Sequence, residues 1–523
     1  MSTRTEQLGG NGMEPAGSAM TAGSSALHAD KEAEGSRPVR TGWAEADLTP
    51  QEPVMLAGQF HARLSEGVAD PLQATVWAID TGEDHAVFVA CDLILVSDAL
   101  RDEVRGRLVP MAGGPNPLHV VLHATHTHTA PETRPDSRQS AHVGGGASAL
   151  GLKAMSTEAY IAYAAERIAS AVVRAWTSRA EGAIAFGTGR AAVGRNRRWV
   201  NERGHSTMYG LQPAVSDSFR HIEGYEDDAV QVLAVYDAQG ELSGVVVNVA
   251  CPSQVGEQGY EISADFWHET RRELRRRLGE HIAVLPQCSA AGDQSPHPLY
   301  GREAERRMRE LRGRTEREEI AWRIAETVAD VVKVIRPAAQ TNLVLRHRVV
   351  QEALAASLLT EGNGDEAAGE AARWRETYER EMGKLAAQPE LRHKPHWYRA
   401  ATEAYGRMHW HQGVLERRKR QLGGERSVPA ELHVIRLGEV VLATNPFELY
   451  TDFGLQIQVR SPAVQTFLVQ LAGEGTYVPS PRSVAGGGYG SVPASNPVGP
   501  EGGQQLAETT IAVIRALWED QTK

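Results

Sequence analysis

Residues Val120-Val-Leu-His123-Ala-Thr-His126-Thr-His128-Thr-Ala-Pro131 decide how this chain reads. The apolar run at 120–122 predicts a strand, and the polar histidines that follow mark its end. Successive side chains of a strand point to opposite faces. His126 and His128 therefore share a face, and His123, of opposite parity, points away. Two imidazoles on one face make half of a metal site; the plain alternative is a pair of polar histidines closing a strand. Working outward, similar apolar runs recur at 74–79, 86–96, 230–236 and 245–250, with a further stretch at 432–442. Helical patterns lie between them. Ser156-Thr157 opens one in which Ile161, Ala165, Ile168, Val172 and Ala175 fall at spacings of three and four. Another spans 265–278, and a third carries Ile320, Ile324, Val328, Val331 and Ile335 and stops before Pro337. Strands alternating with helices predict an α+β (mixed α/β) fold, a single large domain with mixed central sheets.

The chain has 523 residues, enough for a sizeable core, with 55 Lys and Arg against 66 Asp and Glu. A net charge of −11 argues against nucleic acid or an anionic membrane as partner, because both call for a basic face. Cys91, Cys251 and Cys288 are odd in number and widely separated, which fits neither a disulfide framework nor a metal knuckle and points to a reducing, cytoplasmic setting. Residues 1–38 are rich in Gly, Ser, Ala and charge and lack an apolar signal core, so they read as a disordered leader to a domain over 39–523. No run of 18 apolar residues occurs, so no transmembrane helix is expected. The segment at about 361–426 is charged, helix-prone and strand-poor, with Trp374, Trp397 and Trp410; it reads as a helical insertion, with a lid over a cleft as the alternative. Residues 480–503 read as loop and 506–518 as a final helix.

Two zinc-hydrolase patterns can be tested on the histidine motif. A metallo-β-lactamase would need H-x-H-x-D-H, but Thr129 and Ala130 follow His128. A TIM-barrel amidohydrolase would carry H-x-H on its first strand, whereas here several strand-like runs come earlier. Other polar clusters also follow apolar runs. Gly292-Asp293-Gln294-Ser295-Pro296 is not a G-x-S-x-G nucleophile elbow. Arg197, in Asn196-Arg197-Arg198, could clamp a carbonyl or carboxylate or lie in a solvated turn. Asp265 reads as a helix cap, and the arginines at 271, 272, 275, 276 and 277 as a solvated face.

Taken as an ordered set, these pieces resemble the catalytic domain of the neutral/alkaline (non-lysosomal) ceramidase family. The resemblance runs from Asp47-Leu-Thr-Pro50 through Met55-Leu-Ala-Gly58, Gly67-Val-Ala-Asp70-Pro-Leu72 and Asp92 to Ala124-Thr-His126-Thr-His128-Thr-Ala-Pro131. It continues through Asn196-Arg197, Gly292–Pro296, Tyr477-Val-Pro479 and Gly488-Tyr489. It implies a divergent bacterial-type member that lacks the family's C-terminal β-sandwich domain, and a zinc-dependent hydrolase of a linear amide bond. Carried over by position, the resemblance makes His126, Glu448 and Tyr477 ligands of one zinc ion per chain. His128, Arg197, Tyr489 and Ser295 become the catalytic groups around the scissile amide, with His128 as general acid. The family's second histidine ligand has no counterpart in Asn248-Val-Ala-Cys251-Pro-Ser-Gln254, where Gln254 and His123 are the substitutes at hand. Without a signal or an amphipathic anchor, a small or amphiphilic, lipid-like N-acyl substrate is expected rather than a long-chain ceramide. The rival readings are a metal-independent hydrolase centred on Ser295 and a non-catalytic binding protein on a decayed hydrolase scaffold.

Overall fold

Eight strands build the main sheet: β1 (Arg40–Asp47), β2 (Gln73–Asp80), β3 (His85–Cys91), β4 (Val120–Ala124), β5 (Ala180–Arg190), β6 (Ala229–Asp237), β7 (Leu242–Val249) and β8 (Ala283–Cys288). They lie in the order β8-β7-β6-β5-β1-β2-β3-β4 in a computed structural model that describes residues 35–135, 150–210 and 213–519. The edge pairs β3–β4 and β7–β8 are parallel and the inner pairs antiparallel. Between β5 and β1 only Arg40–Glu181 and Thr41–Ala180 pair, so the sheet behaves as two four-stranded halves. A second sheet, β9 (Leu345–Ala355), β10 (Ser427–Leu437), β11 (Val440–Thr444) and β12 (Gln465–Val469), pairs in that order and ends in the parallel pair β11–β12.

Helices cover the outer faces. α1 (Asp98–Leu108) and α2 (Thr157–Thr177) bury an apolar stripe against β2–β4, and α2 starts where Ser156 caps it by accepting from the Ala159 N–H. α3 (Phe266–Leu278) and α4 (Glu316–Ile335) do the same against β5–β8. The innermost core, including Trp77, Phe88, Leu233, Val246, Leu285, Ile435 and Phe467, is shared by both halves of the main sheet and by the second sheet. This is the mixed α/β arrangement the sequence predicts. The segment expected as a helical insertion forms α5 (Glu361–Ala387) and α6 (Arg399–Leu422), which pack against each other. The final helix is α7 (Pro500–Glu519).

Several local expectations shift. Arg37 and Pro38 already pair with Leu343 and Asn342, so regular backbone starts ahead of residue 39; the leader up to residue 34 lies outside the described residues. The stretch 432–442 is a hairpin rather than one strand, turned at Gly438 with φ +60°. The predicted loop at 480–503 holds a short helix over Pro481–Gly486 and the start of α7, where Gly502 and Gly503 are packing positions: a Cβ there would come within 2.5 Å of the Ala355 carbonyl and 2.6 Å of the Phe453 ring. Arg271 is not on a solvated face but is buried against Asp92.

Helix α3 also carries Glu269, whose Oε2 is buried without a hydrogen-bond partner. Burial pushes its carboxyl up to about 7, and Asp70 and Asp265 add to the effect. An unfolded glutamate titrates near 4.3. Between that value and about 7 the folded state holds a proton that the unfolded chain has released, so stability falls as pH rises through this window and levels off above it. Glu269→Gln is therefore expected to gain melting temperature over the parent at pH 8 and to show a smaller gain at pH 5. A difference independent of pH in paired thermal melts would contradict this.

Candidate active site at the strand ends

The C-terminal ends of β3, β4, β7, β8, β11 and β12 come together, the usual place for a site in a sheet with parallel pairs. Backbone hydrogen bonds lock the loops to one another: Ser253 N to Thr125 O (3.3 Å), Ala124 N to Leu471 O (3.3 Å), Gln470 N to Cys288 O (3.0 Å) and Asn445 N to Val469 O (3.0 Å). Strand β4 stops at Ala124, so strand alternation does not bring His126 and His128 together; the loop does, with His126 in the left-handed region at φ +67°. The His126 Nδ1 lies 2.6 Å from the Ile94 carbonyl, which accepts its proton and leaves Nε2 as the free lone pair. That Nε2 is 3.4 Å from His128 Nε2 and 3.4 Å from Glu448 Oε2. His123 is the fourth residue of β4. It is fully buried, neither ring nitrogen has a hydrogen-bond partner, and burial lowers it to about 3, so it stays neutral.

Short ladders deliver the other groups. Glu448–Leu449 pairs in parallel with Tyr477–Val478, placing Glu448 beside Tyr477. Gln294–Ser295 pairs with Arg195–Asn196, which brings Ser295 and Arg197 to the same spot. Gly292 lies so close to Glu448 that a Cβ would be 2.4 Å from its carbonyl oxygen. The Arg197 guanidinium is buried and donates to Tyr209 OH (2.7 Å), Gly292 O (2.8 Å), Tyr477 OH (3.2 Å) and Gln254 Oε1 (3.3 Å). It also lies 4.0 Å from Glu448 Oε2. Tyr489 leaves 42% of its surface exposed, yet its hydroxyl bonds Tyr477, with ring centroids 5.6 Å apart. Trp410 of α6, tilted, and Phe60, edge-on, pack around Tyr489 at 5.9 and 6.1 Å, so α6 supplies part of an aromatic rim beside the site.

Burial dominates the electrostatics. It holds His128 well below its ordinary value, and His126, Arg63 and Arg197 push the same way. Burial alone would raise Glu448, but His126 and Arg197 outweigh it and keep the carboxylate ionised. Tyr477 is raised well above the ordinary phenol by burial and by Glu448, and burial pushes Tyr489 up to about 12. Both phenols are thus proton donors at neutral pH. Ser295 is fully buried; its Oγ accepts from the His297 N–H (3.1 Å) and bonds the Tyr209 hydroxyl, and neither partner is a general base.

The donor set suits a zinc ion. Two ligands on one tetrahedral zinc with bonds of about 2.0–2.1 Å are about 3.4 Å apart, the spacing of His126 Nε2 and Glu448 Oε2, and the Tyr477 hydroxyl bonds Glu448. Gln254, where the missing histidine was expected, turns its amide nitrogen to His128 Nε2 at 2.8 Å. Among the described residues a second cluster, Asp84, His85 and His119, also has closely spaced donors. It sits at the opposite ends of β3 and β4, where His85 Nε2 accepts from the Asn116 N–H at 2.9 Å, Asp84 accepts from the backbone N–H of His85 and of His347, and His119 Nδ1 lies 3.2 Å from the His85 carbonyl. Sequence reasoning missed Arg63, Tyr209 and Glu257, all of which touch the site's groups through contacts distant in the chain. Only the left-handed φ of +64° at Tyr209 is unusual, and no motif encodes it.

No protein-family model and no curated protein matches the chain. Its overall fold is that of the neutral ceramidases. The crystal structure of neutral ceramidase from Pseudomonas aeruginosa matches with a TM-score of 0.63 at 16% identity, covering 92% of this chain and 75% of that one. A ceramidase complexed with C2 matches with a TM-score of 0.63 at 16% identity, covering 92% of this chain and 76% of that one. At this identity the likeness is one of fold.

Proposed function

We propose that the protein is a metal-dependent hydrolase of a linear N-acyl amide bond. The observation that carries this reading is the meeting of His126, His128, Glu448, Tyr477 and Arg197 at the strand ends of a ceramidase-like fold. His126, Glu448 and Tyr477 would hold one zinc ion, which when bound polarises a carbonyl and lowers the pKa of water to about 7. Arg197, charged and buried, and the Tyr489 hydroxyl donate to the carbonyl oxygen as negative charge builds on it, a contribution of about 3–4 kcal/mol per donor. His128 is held neutral, so it starts as a base and takes up the expected general-acid role once it carries the proton. It takes a proton from the attacking water and returns it to the amide nitrogen as the C–N bond breaks, giving an amine and a carboxylic acid that then releases its proton to solvent. Ser295 acts through Tyr209, helping to set the phenol that bonds Arg197.

The substrate is small or amphiphilic, with its apolar part against Phe60, Trp410 and Tyr489. Among the described residues no helix is long and apolar enough to cross a membrane. The three cysteines are free and buried, which suits the cytoplasm. The test is amine release from a panel of short-chain ceramides and N-acyl amino acids, before and after chelation. Activity that disappears with the chelator and returns with zinc is expected. Hydrolysis indifferent to chelation would remove the metal from the reading, and no hydrolysis of any member would favour a binding protein.

A further inference from the structure

The proton on His128 can be placed from its neighbours. Arg197 has only donors to offer, and its NH1 reaches Gln254 Oε1 at 3.3 Å. Tyr209 OH, which accepts from the same NH1 at 2.7 Å, also donates to that oxygen, at 3.1 Å. The Gln254 amide is therefore turned with its oxygen to Arg197 and its NH2 to His128, where it donates to Nε2 at 2.8 Å. A neutral imidazole that accepts at Nε2 carries its hydrogen on Nδ1. The His128 Nδ1 is buried and has no hydrogen-bond partner; the nearest acid is Glu257, with Oε2 at 3.8 Å.

The surroundings are built to keep these two groups facing each other. Arg63, buried beneath them, donates from NH1 to the carbonyls of Glu257 (2.7 Å) and Gly259 (2.8 Å), and from NH2 to those of Ala57 and His128. One guanidinium thus ties the Glu257 loop to the His128 backbone. Gly58, at φ +100°, leaves the space on that side of the ring: a Cβ would sit 2.5 Å from Nδ1. Glu257 also borders a cavity of about 300 Å³, together with Tyr260, His297 and Arg317. We infer that Glu257 is the positioning residue of His128: it receives the Nδ1–H, fixes the tautomer, and leaves Nε2 to handle the substrate's proton. Contacts of this kind are often long before substrate binds and shorten with it. The inference rests on the hydrolase reading given above, but its first test does not need turnover.

In full-length protein labelled with 15N-histidine, the two-bond proton–nitrogen spectrum, with His128→Ala to identify the signal, reports which ring nitrogen bears hydrogen. The Nδ1–H form is expected in the parent and a mixture of tautomers in Glu257→Gln. In steady-state hydrolysis of the best substrate, Glu257→Gln should lower kcat on the order of ten- to a hundredfold with KM little changed, and Glu257→Asp should recover part of the loss. An Nε2–H form in the parent, or a Glu257→Gln protein with unchanged tautomer and unchanged kcat, would overturn the inference. If no amide is hydrolysed by the parent, the hydrolase reading fails while the tautomer result still decides the role of Glu257.

Discussion

His126→Ala is expected to abolish metal binding and to lower amide hydrolysis by about a thousandfold or more, while leaving the fold intact. His126 has one free lone pair, on Nε2, because Nδ1 is committed to the Ile94 carbonyl at 2.6 Å. That lone pair is 3.4 Å from Glu448 Oε2, so removing it leaves the carboxylate and the Tyr477 phenol without a nitrogen ligand. Losing several kcal/mol of transition-state stabilisation from a bound metal corresponds to about three decades in rate. The left-handed backbone at φ +67° strains alanine about as much as histidine, so the apo fold should change little. The metal-loaded parent should melt higher than the variant, because a ligand bound only by the folded state stabilises it. His123→Leu is the control: its ring is buried without partners, so the metal should stay. Elemental mass spectrometry reads this directly as about one zinc per chain in the parent and in His123→Leu and none in His126→Ala. Equal zinc and equal turnover in His126→Ala and the parent would sink the metal site.

The parts of this molecule that sequence conveys are those carried by local pattern. Apolar runs give β2 and β6 nearly to the residue, and the Ser156 cap gives the start of α2. The ordered motifs bring His126, Arg197, Ser295, Glu448, Tyr477 and Tyr489 forward as candidates, and the folded chain gathers them around Arg197 and Glu448 through two-residue ladders that no pattern of period two would reveal. What stays hidden depends on distant packing. The Arg63 clamp reaches 194 residues along the chain to Glu257, and neither residue is marked by its neighbours in sequence. His128 shows the same limit in its chemistry. An exposed histidine titrates near the working pH, and only the burial visible in the fold, with His126, Arg63 and Arg197 close by, holds this one well below that value. The reading of 86–96 as one strand overshoots because Asp92 ends β3 by turning its carboxylate inward, to the Gln73 N–H at 2.9 Å.

That same carboxylate supports the second large effect. Arg271 meets Asp92 through two bonds, NH1 to Oδ2 at 2.7 Å and NH2 to Oδ1 at 3.0 Å, and both side chains are essentially shut off from water. Asp92 also accepts from Thr125 Oγ1 at 3.3 Å, one residue before His126, so the pair ties helix α3 and the start of β2 to the site loop. Breaking a buried pair on one side leaves an uncompensated charge in a dry interior, which costs about 3–5 kcal/mol. Asp92→Ala and Arg271→Ala should each lose stability of that order in urea unfolding. The sum should greatly exceed the loss in the double variant Asp92→Ala/Arg271→Met, because once both charges are gone no orphan remains. Since Asp92 alone reaches Thr125, Asp92→Ala should also reduce metal occupancy at His126, whereas Arg271→Ala should reduce it less. Two small, additive losses would instead mean that water reaches the pair, and that backbone bonds such as those from Thr125 to Cys91 and from His126 to Leu93 hold the site loop without it.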